Sequence, residues 1–473
     1  MDNNTTLSIT ELSPEGYGQS HVLRPDGQGG EKQKIVLVPY TLPGETVEAT
    51  LYRCKSKSGA SFLAKTTSLL TSSSLRIAPK CKHFGSCGGC LFQHMPYESQ
   101  LAFKEKKVRS LFDEQHITDG ASFLPIIAAN SPWQYRNKME FTFSQAKSGQ
   151  KFLGLFMRDA RGRVFDVEEC HLVHPWMANT LAACRSWWDS TQLAAYYCGK
   201  NQGTLRLLTL RDAATTGDRV VMLTVSGNPD YAMKRHDLDT FVQAMKACAT
   251  PAEGAFLTIV LKVQQIAKGK PTQFYEMRLH GPEVFRERVT VEGQALEFQV
   301  SPSSFFQPNS LQASVLYSKA LSMAGLSKEQ VLYDLYAGIG VFGMCAASRV
   351  KQVLSCEICA DSSYDATCNV DRLGLTNVEV CKGDVAQMLA QKGKFPSADV
   401  VIVDPPRSGL GSKTIQEIAA LGPATILYVS CNPATQAKDI KEFIAFGYRL
   451  EAVQPVDQFP QTIHVENIAV LRK

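Results

Sequence analysis

The chain contains no run of about 18 uncharged apolar residues, so no membrane-spanning helix is expected. Its start, "MDNNTTLSITELS", has no basic segment followed by an apolar one, so no secretory leader is expected either. Charge of one sign is scarce: 50 Lys and Arg stand against 45 Asp and Glu, a net +5, which permits a nucleic-acid partner without arguing for one. Internal repeats and low-complexity segments are absent, which excludes solenoids and tethering linkers. Cysteine, by contrast, is plentiful. Fourteen cysteines in an unsecreted chain do not make a disulfide framework, and the expected compartment is the reducing cytoplasm. Cys54, Cys184, Cys198, Cys248, Cys345, Cys356 and Cys368 lie in apolar stretches and are expected to be small buried residues.

At 473 residues the chain should split into two to four domains. Residues 1–72 carry short alternating runs ("LSITEL", "KIVLVPY", "ETVEATLY", "SFLAKTTSLL") separated by turn chemistry at Pro43-Gly44 and Lys57-Ser58-Gly59, which predicts five strands in a small OB-like β-barrel. In 73–125 a polar linker leads to a cysteine-rich loop and an amphipathic helix. The apolar side of that helix is Leu101, Val108, Leu111 and Phe112, and Lys104, Lys106, Lys107 and Arg109 form a face expected to be solvated. Strand-like runs dominate 126–300 and are expected to pair as antiparallel hairpins around one helix, "ANTLAACRSWWDSTQLAAYY", as a central α+β insert. From 301 to 473 strands and helices alternate, with helices over 361–373 and 433–446, which predicts a doubly wound, mostly parallel sheet. The fold class is therefore α/β: a Rossmann-like domain with an N-terminal barrel and a central insert.

"DLYAGIGVFG" follows a strand and opens a helix, and Gly338 and Gly340 let the backbone approach a ligand. Glu357, at the end of the next strand and nineteen residues past Gly338, is where an acid takes ribose hydroxyls. Because position 343 is also glycine, this pattern alone admits a dinucleotide. "VIVDPPRSGL" decides otherwise: Asp404 at a strand end, stiffened by two prolines, suits a planar base or amide in a methyltransferase and has no role in a dehydrogenase. The expected cofactor is S-adenosylmethionine.

"LYVSCNPAT" puts Cys431 directly after a strand and beside the N-terminus of a helix, whose dipole favours the thiolate. Glu466, in "TIHVENIAVL", is the candidate proton acceptor. A thiolate beside a methyl donor suits an unreactive pyrimidine carbon. It adds to C6, C5 takes the methyl group, a base removes the C5 proton, and the thiolate leaves. "CKHFGSCGGC" clusters Cys81, Cys87 and Cys90 in ten positions and reads as a metal-ligand loop.

Taken together these residues resemble the RNA 5-methyluridine methyltransferase family, nearly end to end. The first 72 residues resemble its TRAM domain, a small RNA-binding barrel, and "CKHFGSCGGCLFQH" resembles its iron–sulfur motif. "WQYRNKMEF", "SPSSFFQPN", "DLYAGIGVFG", "VDPPRSGL", "SCNPAT" and "HVENIAVL" follow in family order. The resemblance implies cofactor contacts at Gln307, Tyr336, Glu357 and Asp404, with Cys431 as nucleophile and Glu466 as base. It implies a fourth cluster sulfur at Cys170, in "VEECHLVHPWM", so that Cys81, Cys87, Cys90 and Cys170 would hold a structural four-iron, four-sulfur cluster. Structural zinc is the alternative, with His83, His94, His171 and His174 as nitrogen donors. Where some members carry a polar residue this chain has Val341. The cluster motif points to 23S ribosomal RNA as substrate, for a cytoplasmic enzyme acting as a monomer. The rival readings are a transfer-RNA 5-methyluridine methyltransferase, a cytosine-C5 methyltransferase, and a catalytically silent RNA-binding assembly factor. The Pro-Cys element usual in cytosine-C5 enzymes is absent, and the intact Cys431, Glu466 and Asp404 argue against a silent domain.

Overall fold

A computed structural model describes residues 4–25, 30–54, 59–60, 62–158, 160, 162–267, 269–391 and 393–473. It divides into two compact units: Met1–Lys107 with Phe459–Ile463, and Val108–Gln458 with His464–Lys473. Among the described residues no helix is long and apolar enough to cross a membrane.

The first unit carries a six-stranded sheet in the order Asn4–Ser8, Thr46–Arg53, Phe62–Thr71, Glu31–Val38, Gly18–Pro25, Glu11–Leu12. Its two edge strands are consecutive in the chain. Across the two residues between them, Ile9 N–H donates to Glu45 O at 2.8 Å and Thr10 N–H to Gln19 O at 3.0 Å. The sheet thus curls until its edges are joined through the chain itself. Among the described residues the ladders do not close into the expected barrel: the strand Glu11–Leu12 is only two residues long and pairs with Gly18–Pro25 alone. Leu7, Val36, Val38, Val47, Ala49 and Leu51 fill the concave side. The strand Gly18–Pro25 escaped the alternation rule because "GQSHVLRP" offers few apolar residues; it forms by hairpin pairing with Glu31–Val38. Of the expected Lys57-Ser58-Gly59 turn, Lys57 and Ser58 lie outside the described residues. The solvated face expected on the helix Tyr97–Asp113 also needs correction. Lys104 is buried, its stem lying among apolar groups while Nζ donates to Phe459 O at 2.9 Å.

In the second unit, a seven-stranded sheet runs Val164–Asp166, Lys151–Phe156, Lys138–Gln145, Leu205–Asp212, Arg219–Ser226, Leu257–Gln265, Gln273–His280. The pairing is antiparallel except between Arg219–Ser226 and Leu257–Gln265, which run parallel rather than as the expected hairpin. The cause is the helix Arg235–Ala249, unforeseen in the sequence, which supplies the crossover that parallel strands require. The foreseen helix spans Pro175–Asp189 and stops short of Tyr197. The Ser190 hydroxyl donates to Trp187 O at 2.7 Å and Thr191 Oγ1 to Trp188 O at 2.9 Å, capping the carbonyls that another turn would need. Cys198 falls in the turn beyond and is exposed, not buried, while Cys184, Cys345 and Cys356 are buried as expected.

Phe285–Val291 and Gln294–Val300 pair as a two-stranded antiparallel sheet. The largest sheet is ordered Val378–Lys382, Gln352–Glu357, Val331–Leu335, Val400–Val403, Thr425–Ser430, Glu466–Arg472, Arg449–Val456, Ser122–Phe123. Its first five strands are parallel, and all of them but the edge strand Val378–Lys382 are largely buried, as sheets covered by helices are; Glu466–Arg472 is antiparallel to both neighbours. Helices Ala360–Arg372 and Pro433–Ala445 lie where the sequence put them. Strand order reverses between Val331–Leu335 and Val400–Val403, and the crevice beyond their carboxyl ends is where such folds bind ligands.

Candidate active site

The strand Val331–Leu335 hands over to a turn built from unusual backbone. Tyr336 has φ 61°, Gly338 φ 57° and Gly340 φ 81°. Such values cost a non-glycine residue about 1 kcal/mol or more, so Tyr336 is held there by its surroundings. Nothing lies within 4 Å of where a Gly338 side chain would begin, which leaves an open cradle above the turn. Gly343 answers a different need. A Cβ there would meet Ser355 Oγ at 2.7 Å and Val353 Cγ1 at 2.8 Å, so the third glycine lets helix and sheet pack closely. Buried Asp334 accepts from Gly343 N–H at 2.9 Å, and burial pushes its carboxyl up to about 7.

Glu357 faces the turn from the next strand end. Its Oε2 accepts from Gly338 N–H at 2.8 Å and its Oε1 from Cys359 N–H at 2.7 Å. The carboxylate is thereby fixed in direction with lone pairs remaining, and the open cradle lies beside it. These residues fit a nucleoside bearing ribose hydroxyls. Tyr336 is half-buried; burial pushes its phenol up and a hydrogen bond with Thr414 pulls it back. Gln307 is buried in the segment that enters the helix Ser310–Ala324, its carbonyl accepting from Asn137 Nδ2 at 2.8 Å. Val341 is part of the apolar core.

Three strand ends away, Cys431, Glu466, Asp404 and Arg407 form one electrostatic cluster. Burial pushes the Cys431 thiol up, Glu466 adds to the shift, and Arg407 opposes it through its charge and a hydrogen bond. Burial and the neighbouring carboxyl thus act on Cys431 against the thiolate that the adjacent helix N-terminus favours. Glu466 is 2% exposed, and its Oε2 has no hydrogen-bond partner among the described residues. Burial holds this carboxyl well above the usual range, Asp404 raises it further, and Arg407 opposes. Asp404 is pushed up to about 7, by burial first and then by Asp334. The loop after Asp404 is tied to the Cys431 turn: Arg407 O accepts from Asn432 Nδ2 at 2.8 Å and from Thr435 Oγ1 at 3.3 Å.

The cysteines expected to bind metal are placed less tellingly. Cys81, Cys87 and Cys90 share one loop of the first unit, where Gly89 N–H points at Cys87 Sγ at 3.4 Å, and Cys170 belongs to the second unit. Among the described residues no three His, Cys, Asp or Glu side chains converge closely enough to hold a metal ion, so the geometry adds nothing to the spacing argument.

Residues 249–473 match the family model described as tRNA (Uracil-5-)-methyltransferase. An uncharacterized RNA methyltransferase of Protochlamydia amoebophila is 47% identical over 442 residues, covering 92% of this chain and 99% of that one. The chain belongs to the RNA uracil-C5 methyltransferase family. A Clostridium tetani member, also an uncharacterized RNA methyltransferase, is 33% identical over 441 residues, 93% of this chain and 92% of that one. The fold is that of a solved structure, the Pyrococcus abyssi tRNA (uracil-54, C5)-methyltransferase in complex with S-adenosyl-L-homocysteine. The TM-score is 0.70 at 23% identity, covering 99% of this chain and 100% of that one. This chain is thus a transferase, an RNA methyltransferase.

Two residues of the methyltransferase went unnoticed in its sequence. Arg407 stands three positions past Asp404 in "DPPRSGL", and a cation next to an acid-proline-proline exit was a usable signal. Asn137, inside "WQYRNKMEF", carried none, since only the fold brings it to residues 307–310.

Proposed function

We propose that this methyltransferase converts a uridine of 23S ribosomal RNA to 5-methyluridine through a covalent adduct with Cys431. The observation that carries the mechanism is the thiol of Cys431 and the buried carboxyl of Glu466 sharing one desolvated cluster, in which Glu466 raises the thiol and Arg407 opposes the shift of both. When bound, S-adenosylmethionine supplies an electrophilic methyl group; Glu357, Tyr336, Gln307 and Asp404 are the residues that would hold it. The Cys431 thiol first gives its proton to solvent, a proton that the released thiolate later regains; Sγ then bonds to C6 as a thiolate, and electron density moves to C5, which takes the methyl group. Bond formation neutralises the sulfur, which lifts the repulsion that disfavours a carboxylate at Glu466. Glu466 then accepts the C5 proton, the C6–S bond breaks, and the thiolate is released. One proton reaches solvent per turnover. Arg407 steadies the sulfur's negative charge before addition and after release.

The choice of ribosomal RNA rests on the cysteine loop and on the N-terminal sheet, which we take as a TRAM-type, OB-like RNA-binding module. Residues 126–300 would form the central RNA-binding insert and 301–473 the transferase domain. Cys81, Cys87, Cys90 and Cys170 are assigned a structural four-iron, four-sulfur cluster on their spacing alone, and no step of the reaction passes through it. Protein prepared without oxygen should then carry about four irons per chain and absorb broadly near 400 nm; stoichiometric zinc without iron would falsify the assignment. Transfer RNA is the second reading, favoured by the description of the matching family model. Mass spectrometry of RNA from a deletion strain separates them. Loss of one 5-methyluridine from 23S ribosomal RNA supports the proposal, loss from transfer RNA alone overturns the substrate, and an unchanged modification map overturns the enzyme.

A further inference from the structure

The segment between the strand Gln294–Val300 and the helix Ser310–Ala324 has no regular structure, yet side chains from outside grip it along its length. Asp365 accepts from both Ser301 N–H at 2.8 Å and Ser301 Oγ at 2.6 Å. Buried Arg211, from the central sheet, donates to the carbonyls of Pro302 at 2.9 Å and Ser304 at 2.6 Å. Asn137 stands just before the neighbouring strand Lys138–Gln145 and closes the grip. Its Nδ2 donates to Gln307 O at 2.8 Å and Ser310 Oγ at 2.7 Å, and its backbone N–H donates to Pro308 O at 2.8 Å.

Carbonyls of an irregular segment ordinarily face water. Here those of residues 302, 304, 307 and 308 turn inward to the central sheet, which settles the plane of each peptide and therefore the direction of the side chains between them. The arrangement has a cost. Asn137 is 5% exposed, and with both amide protons directed at residues 307 and 310 its Oδ1 is left buried without a partner among the described residues. Rotating the amide would bring Oδ1 against Gln307 O, two acceptors face to face. The amide is thus locked as a donor, at an expense that a residue filling space alone would not carry.

We propose that Asn137 is a positioning residue for cofactor binding: by fixing the Gln307 peptide it aims the Gln307 side chain at S-adenosylmethionine, so that cofactor affinity is set from the central sheet. The proposal rests on the reading of Gln307 as a cofactor contact. The test is titration of the full-length protein with S-adenosylhomocysteine, alongside steady-state kinetics and RNA binding. Asn137→Asp keeps the shape but cannot donate to Gln307 O while ionised. At pH 8 it should weaken S-adenosylhomocysteine binding, and raise KM for S-adenosylmethionine, by about ten-fold, the scale of one lost hydrogen bond. The kcat at saturating cofactor and the RNA affinity should stay within about two-fold of wild type. The defect relative to wild type should shrink as pH falls, because a protonated aspartate is again a donor. If Asn137→Asp fails to fold, Asn137→Gln, which displaces the donor by one methylene, carries the same comparison. Cofactor affinity at the wild-type level in a folded Asn137 variant overturns the proposal while Gln307→Ala remains impaired. Parallel losses of cofactor affinity, RNA affinity and melting temperature overturn it in favour of a purely structural role. If Gln307→Ala itself binds normally, the underlying reading of Gln307 fails and the proposal falls with it.

Discussion

Glu357 and Glu466 are the same residue at the end of a strand in the same sheet, and their surroundings give them opposite characters. Glu357 receives a backbone N–H on each oxygen, at 2.8 and 2.7 Å, and is a fixed acceptor. Glu466 is buried with one oxygen unpartnered, and burial together with Asp404 holds its carboxyl far above the usual range. A carboxylate meant to bind is surrounded by donors. One meant to take up a proton is left short of them, so that its charged form is a strong base once it appears.

The comparison breaks most sharply at Cys431, on the Glu466 side. Cys431→Ala should reduce methylation by at least about four orders of magnitude, the scale for removing a nucleophile. It should also form no adduct with RNA carrying 5-fluorouridine, where wild type is trapped and survives denaturing electrophoresis; equal adduct levels would point to another nucleophile. Glu466→Gln should slow turnover by about 10²- to 10³-fold, within the range for general-base removal. Addition and methyl transfer continue, so a methylated protein–RNA adduct should accumulate, which a normal rate without adduct would rule out. Glu357→Ala should lose about 1.5–3 kcal/mol of cofactor affinity by calorimetry, the range for hydrogen bonds to a charged group, and leave RNA affinity alone. If Glu357→Ala instead stalled after methylation, the division of labour between the two glutamates would collapse.

The remaining expected effect is on stability. Asp404 is pushed up to about 7 in the folded chain, while an unfolded aspartate titrates near about 3.9. Between those values the folded state holds a proton that the unfolded state has released. This group's contribution is therefore most favourable below about pH 4, declines through the window, and stays low above about 7. Asp404→Asn removes that decline. Its melting temperature should exceed that of wild type at pH 8 and approach it at pH 4–5, while activity is lost; a constant difference across the range would mean that Asp404 is not desolvated.

Much of this was legible in the residues. The alternation from 331 onward placed seven of the eight strands of the catalytic sheet, missing Ser122–Phe123, because buried strands read as short apolar runs between turns. The motif residues fall at strand ends for the same reason. The central sheet was less legible. The helix Arg235–Ala249 has only three buried side chains, Phe241, Met245 and Ala249, so its apolar stripe is thin, and missing it turned a parallel pair into a presumed hairpin. The upward push on the Cys431 thiol was illegible for another reason: a helix N-terminus is visible in sequence, whereas Glu466, thirty-five residues away, is not visibly its neighbour.

By itself the sequence determined the order of strands and helices in the catalytic sheet and the glycine turns at 338, 340 and 343. It also determined the identity of the chemical groups at the strand ends. Spacing and backbone conformation are local properties, decided within a few residues. Only the tertiary structure decided how those groups behave: that Glu357 is solvated by amides and Glu466 is not, that burial pushes the Cys431 thiol up, and that Asn137 grips the segment carrying Gln307. Charge stabilisation and hydrogen bonding depend on what is packed opposite a residue, and in this fold the group opposite comes from far along the chain.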